Sequence, residues 1–196
     1  SGCGYTALFL PRDILPHYLL KFPEALIAPI SDGGRVAFTE KNFEKLLSFD
    51  SIAFGMGTGI SEDVFSAVQF LLREYTGRLI LDADALNSLA KYGKGRMGEI
   101  FEEKKCDVLL TPHVREFSRL TGESVKDILH KGLDAPREFA GKFGVSVLLK
   151  GASTVIACPT GTAVTLTGTP GQAKGGSGDV LSGLIAGLCA QGLSAF

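Results

Sequence analysis

Three stretches of this chain are apolar without interruption: Ile80-Leu81, 108–110 and 147–149. A strand with one wet face alternates apolar and polar residues, whereas a strand covered on both faces has no need to. Such runs constrain the chain to a sheet sandwiched between other layers, and parallel sheets are built that way. Strand-like runs fall at 5–10, 25–28, Ser51–Phe54, Arg78–Leu81, 107–111, 145–149, 154–157 and 163–167. Helical patterns fall at 41–48, 61–75, 84–91, 113–121, 124–131, 134–143 and 179–192. In 61–75, Val64, Phe65, Val68, Leu71 and Leu72 share one helical face, Ser61 is a candidate N-cap, and Glu62 and Asp63 occupy the first turn. Strands alternating with helices predict an α/β layered fold with a mostly parallel central sheet flanked by helices. The runs 154–157 and 163–167, joined by Pro159-Thr160-Gly161, read as a β-hairpin added to that sheet. Without a linker or internal repeat, 1–196 reads as a single domain.

Composition narrows the function classes. A net charge of −1, with no Lys/Arg cluster interleaved with aromatics, excludes a nucleic-acid footprint. Cys3, Cys106, Cys158 and Cys189 are far apart and make no CxxC pair or zinc spacing, which reads as reduced cytosolic thiols and a cytoplasmic protein. No secretory signal pattern opens the chain. The apolar run 180–193 is too short to span a bilayer, so no membrane partner is expected. The chain starts at Ser1 in front of a strand and stops at Phe196 soon after a helix, so both ends read as cuts through a longer domain.

Polar and glycine-rich residues recur at the C-terminal ends of the strands, where open α/β sheets bind ligands. Residues 55–59 read Gly-Met-Gly-Thr-Gly, which fails the dinucleotide GxGxxG fingerprint because Ile60 follows. They serve either as a tight turn needing positive φ or as a backbone cleared for a ligand. Asp82 and Asp84 form an acidic pair; Asp84 either N-caps the next helix or joins Asp82 around hydrated Mg²⁺. Asn87 contacts substrate or simply sits on that helix. His113 follows Thr111-Pro112 at a strand-to-helix boundary, and Glu116 caps the helix or binds substrate. Lys150 ends an apolar strand and calls for a phosphate or carboxylate partner.

The strongest cluster is Gly175-Gly176-Ser177-Gly178-Asp179, opening the uncharged segment 180–193. Three glycines and a serine before a helix make a turn whose N–H groups meet the positive end of the helix dipole, where phosphate binds. It is not a P-loop, since GxxxxGK[ST] is absent. The helix it opens is expected to be buried. Asp179 lies where the anion would arrive, and a carboxylate against a phosphate points to catalysis.

Together these segments resemble the ADP-dependent NAD(P)H-hydrate dehydratase family within the ribokinase-like fold. The resemblance rests on 55–59, 81–87, 110–122, 150–154 and above all 168–192, with Gly-x-Pro-Gly-x-x-x-Gly-Gly-Ser-Gly-Asp-Val-Leu, and it covers nearly the whole chain. Two departures stand out. The family usually has GPGLG where this chain has Gly55-Met56-Gly57-Thr58-Gly59, and PHPGE where it has Pro112-His113-Val114-Arg115-Glu116. The resemblance implies repair of hydrated NADH and NADPH (the S form), with ADP as phosphoryl donor, Mg²⁺ accompanying it, and AMP and phosphate as the other products. It implies Asp179 as general base. Gly57, Gly59, Asn87, His113, Glu116 and Asp179 would face the hydrated cofactor. Lys150, Gly151, Ala152, Ser153 and Thr154, with Gly175, Gly176, Ser177 and Gly178, would line the nucleotide. It also implies a homo-oligomer, a tetramer. The main alternative is a ribokinase-like, ATP-dependent kinase of a hydroxymethylpyrimidine or hydroxyethylthiazole. A nucleotide-binding protein without catalysis is the other.

Overall fold

The computed structural model describes residues 2–168, 171 and 174–193. In chain order the elements are β1 (Ala7–Pro11), a 3₁₀ turn (Arg12–Ile14), α1 (Leu15–Leu19), β2 (Leu26–Ser31), α2 (Glu40–Glu44), β3 (Ser51–Phe54), α3 (Glu62–Glu74), β4 (Arg78–Leu81), α4 (Ala83–Tyr92), α5 (Met97–Glu102), β5 (Asp107–Leu110), α6 (Val114–Thr121), α7 (Val125–Lys131), α8 (Asp134–Phe143), β6 (Ser146–Leu149), β7 (Val155–Cys158), β8 (Gly161–Val164) and α9 (Ser177–Ala190).

The large sheet has the order β3-β4-β5-β6-β7-β8. Strands β3 to β6 are parallel, so their C-terminal ends share one edge. Each crossover steps one strand in the same direction, and the right-handed rule then puts α3 to α8 on one face. β7 runs antiparallel to β6, and β8 closes the expected hairpin on it. Cys158 pairs with Gly161, so the loop is only Pro159-Thr160 and β8 begins two residues earlier than the sequence pattern suggested. β1 and β2 pair with each other in a separate parallel sheet, Ala7 opposite Leu26, instead of extending the large one.

The uninterrupted apolar runs are explained by the pleat. Leu79, Leu81, Val108, Leu110, Val147 and Leu149 point into the core shared with α3 to α8. Ile80, Leu109 and Leu148, between them, point to the other face and meet Leu181, Ile185 and Cys189 of α9. Each such Leu or Ile withdrawn from water contributes about 1.5–3 kcal/mol.

The apolar composition of 180–193 predicts a buried helix, and the structure differs. α9 is not a buried helix: Ser182, Gly187 and Cys189 are buried, whereas Val180, Leu184 and Leu188 are 72%, 50% and 38% exposed. Among the described residues the stripe of α9 carrying Leu181, Ile185 and Cys189 packs on the sheet, mostly over β3 and β4. α2 also stops at Glu44 and continues only as turns, and α1 and α5, too short to show a period, were not legible in the sequence. Among the described residues no helix is long and apolar enough to cross a membrane.

Candidate active site

The strand-end clusters converge, and Asp82 is where they meet. It follows β4 and caps α4, its Oδ1 accepting the Ala83 N–H at 2.8 Å. The same oxygen accepts from Lys150 Nζ at 2.9 Å, and Oδ2 accepts from Ser182 Oγ at 2.8 Å. Asp82 is 2% exposed, so its carboxylate needs these donors to be stable away from water. Asp82, not Asp84, is therefore the N-cap. Ala83 is held at φ +48°, a left-handed conformation uncommon outside glycine.

The 55–59 turn packs onto this point. Gly55 has φ +117°, and a Cβ there would lie 2.1 Å from the Asp82 carbonyl oxygen. Its carbonyl accepts the Asp84 N–H at 3.1 Å. Gly57 and Gly59 have φ +68° and +79° with open space around them. So Gly55 is required by close approach, while Gly57 and Gly59 combine positive φ with cleared backbone. Asp84 Oδ2 accepts from Gly59 N at 2.8 Å, tying the turn to α4. Asn87 spans α4 and α6, its Nδ2 donating to the Ala83 carbonyl at 3.0 Å and its Oδ1 accepting from Arg119 at 2.8 Å.

His113 sits beside Lys150. The two form a parallel bridge, with Lys150 N donating to the Pro112 carbonyl at 2.8 Å. His113 is also the N-cap of α6: Nδ1 accepts from Arg115 N and Glu116 N, both at 3.1 Å. Glu116 completes a capping box by accepting the His113 N–H at 2.9 Å. Nδ1 is thus an acceptor, and the neutral ring carries its proton on Nε2, 3.5 Å from Glu116 Oε1. The imidazole remains 47% exposed, whereas the Glu116 side chain is buried.

The glycine turn closes the edge. Gly176, at φ +85°, caps α9, and Ser177 donates through both N and Oγ to the Lys174 carbonyl. Gly178 lies over the buried pair; a Cβ on it would come 3.7 Å from Lys150 Nζ and 3.9 Å from Asp82 Oδ2. Asp179 is exposed in the first turn of α9. Gly151, Ala152 and Ser153 form an exposed bend after Lys150, and Thr154 is half-buried. Thr169, Pro170, Gln172 and Ala173 of the expected signature lie outside the described residues.

The acidic pair does not form a metal cage. Asp82 is committed to Lys150 and Ser182, and Asp84 to Gly59. Among the described residues no group of three or more His, Cys, Asp or Glu could hold an ion. A groove of about 510 Å³ between α5, α6 and α8, lined by Met97, Leu120 and Phe139, contains none of the candidate site residues. Sequence reasoning missed Ser182 and Arg119. The signal for Ser182 was a hydroxyl inside an otherwise apolar run; Arg119, on an exposed helix face, gave none.

The family model for NAD(P)H-hydrate dehydratase matches residues 1–196. A bifunctional NAD(P)H-hydrate repair enzyme of Thermofilum pendens is 39% identical over 98% of this chain and 37% of that protein. An ADP-dependent (S)-NAD(P)H-hydrate dehydratase of Neisseria meningitidis is 33% identical over 100% of this chain and 62% of that protein. The solved ADP/ATP-dependent NAD(P)H-hydrate dehydratase of Bacillus subtilis, co-crystallised with ATP and Mg²⁺, superposes with a TM-score of 0.76 at 30% identity, covering 97% of this chain and 63% of that one. A ribokinase-like superfamily protein of Enterococcus faecalis, with a TM-score of 0.75 at 23% identity over 96% of this chain and 62% of that one, shares the fold. The chain thus spans between about a third and two thirds of the length of these proteins.

Proposed function

This chain belongs to the NAD(P)H-hydrate dehydratase family, and from that premise we propose that it performs the ADP-dependent dehydration of S-hydrated NADH and NADPH, a hydro-lyase reaction that repairs the cofactor. The observation that carries the proposal is the start of α9: a left-handed Gly176 cap, then Ser177, Gly178 and Asp179, set over the Asp82–Lys150 pair.

Hydroxide is a poor leaving group and phosphate a good one, so the reaction runs through phosphorylation. Asp179 takes the proton of the hydrate hydroxyl as its oxygen attacks the β-phosphorus of ADP. The bond to the bridging oxygen breaks and AMP leaves. The amides of Gly176 and Gly178 hold the charge on the transferring group, while Ser177, whose N–H goes to the Lys174 carbonyl, shapes the turn. The carbon–oxygen bond then breaks with its electron pair departing on phosphate, the adjacent ring carbon gives its proton to water, and the reduced nicotinamide is restored. The bend 150–154 and the turn 175–178 bind the nucleotide, and Gly57, Gly59, Asn87, His113 and Asp179 form the hydrate side. Glu116 acts there by fixing His113. Mg²⁺ enters as part of the nucleotide substrate, since a phosphate-borne ion keeps several waters and needs few protein ligands. The proposed setting is cytoplasmic, and the proposed assembly a homo-oligomer, a tetramer.

Incubating the protein with ADP and hydrated NADH is expected to restore the reduced-nicotinamide absorbance band and release AMP and phosphate in equal amounts. No recovery, together with ATP-dependent phosphorylation of a hydroxymethylpyrimidine or hydroxyethylthiazole, would replace the dehydratase by the kinase.

A further inference from the structure

We infer that Asp82 and Ser182 are positioning residues that couple the nucleotide-binding bend after Lys150 to the helix that carries Asp179; this rests on the function proposed above. Three donors from three elements meet on one buried carboxylate: Ala83 N from α4, Lys150 Nζ from the end of β6, and Ser182 Oγ from α9. Ser182 is 0% exposed and stands three residues after Asp179, on the same side of the helix one turn on. Its hydroxyl therefore fixes both the rotation and the height of the first turn of α9 relative to β4. Lys150, whose side chain is 23% exposed, directs its ammonium at Asp82. Its charge is matched there, so it orients the 150–154 bend, while the α9 amides meet the phosphate charge.

The arrangement has a kinetic consequence. The Asp82–Ser182 link fixes Asp179 and the amides of the same turn together, so its loss is felt first in turnover, which depends steeply on geometry, and to a smaller degree in nucleotide affinity. A misplacement of about 1 Å can cost on the order of a hundredfold in rate; a helix still held by its apolar stripe loses about tenfold.

The test uses the full chain with Ser182→Ala and Ser182→Thr, the second retaining the hydroxyl. For Ser182→Ala, exchange of the 180–183 amides should rise about tenfold, that of the β4 to β6 amides should stay unchanged, and kcat should fall about tenfold while the KM for ADP rises by no more than about threefold. Ser182→Thr should restore both. Unchanged exchange at 180–183 would overturn the inference, and so would a uniform rise across the sheet with kcat and KM moving together. If the unmodified protein turns over no hydrated cofactor, the proposed function fails, and the 180–183 exchange decides the coupling alone: a selective rise supports it and its absence overturns it.

Discussion

Glycine is used in two distinct ways at this site, and substitution separates them. At Gly55 both the backbone and the space exclude a side chain, with an added Cβ 2.1 Å from the Asp82 carbonyl oxygen and 2.5 Å from Ala85 Cβ. Gly55→Ala must push β3 away from the start of α4, and a loss of about 3 kcal/mol or more in denaturant unfolding is expected. At Gly57 the surroundings are open and only the positive φ resists, so Gly57→Ala should lose only about 1–2 kcal/mol. Equal losses would mean that the turn does not pack on Asp82 as described. The glycine turns were legible in the sequence because their spacing is local. The Asp82–Ser182 pair was not, because it joins residues 100 apart in the chain.

At the scale of elements, the strands were read well because their runs carry the double burial of the sheet. Leu110 is 0% exposed in the central β5, and Leu110→Ala should cost about 2–5 kcal/mol through the cavity it leaves. The helices were read where an amphipathic period ran long enough, as in α3, and lost where it did not, as in α1 and α5. α9 was misread as buried because its composition is apolar all round, and composition does not say which faces find a partner. Burial also gives β5 and its flanks a pH dependence. Desolvation raises the Cys106 thiol from 9.0 to about 11, and it pushes the Tyr75 hydroxyl, which donates to the Phe49 carbonyl at 2.8 Å, above its ordinary range. The unfolded chain ionises these groups first. Stability is therefore whole below about pH 9 and falls between about pH 9 and 11, with Cys106 contributing about 2–3 kcal/mol of that loss. Unfolding titrations of the native chain and Cys106→Ala check this: the variant should have a shallower alkaline limb.

At the scale of the whole molecule, parallel β3 to β6 bring four strand ends to one edge, and α9 crosses the opposite face to set its glycine turn above them. That geometry brings separate sequence clusters to one edge: the glycine turn with Asp179, His113 at the cap of α6, and the Asp82–Lys150 pair beneath. The proposed homo-oligomer predicts sedimentation as a single species heavier than the 20.7 kDa chain; a monomer at every concentration would contradict it. Asp179, at the mouth of the α9 turn, is the proposed base that starts phosphoryl transfer. That role is tested most directly by Asp179→Ala, with ADP binding measured calorimetrically beside turnover of hydrated NADH. Turnover should fall by at least about a hundredfold, with ADP affinity changed only a few-fold. Turnover left intact in Asp179→Ala would contradict that role.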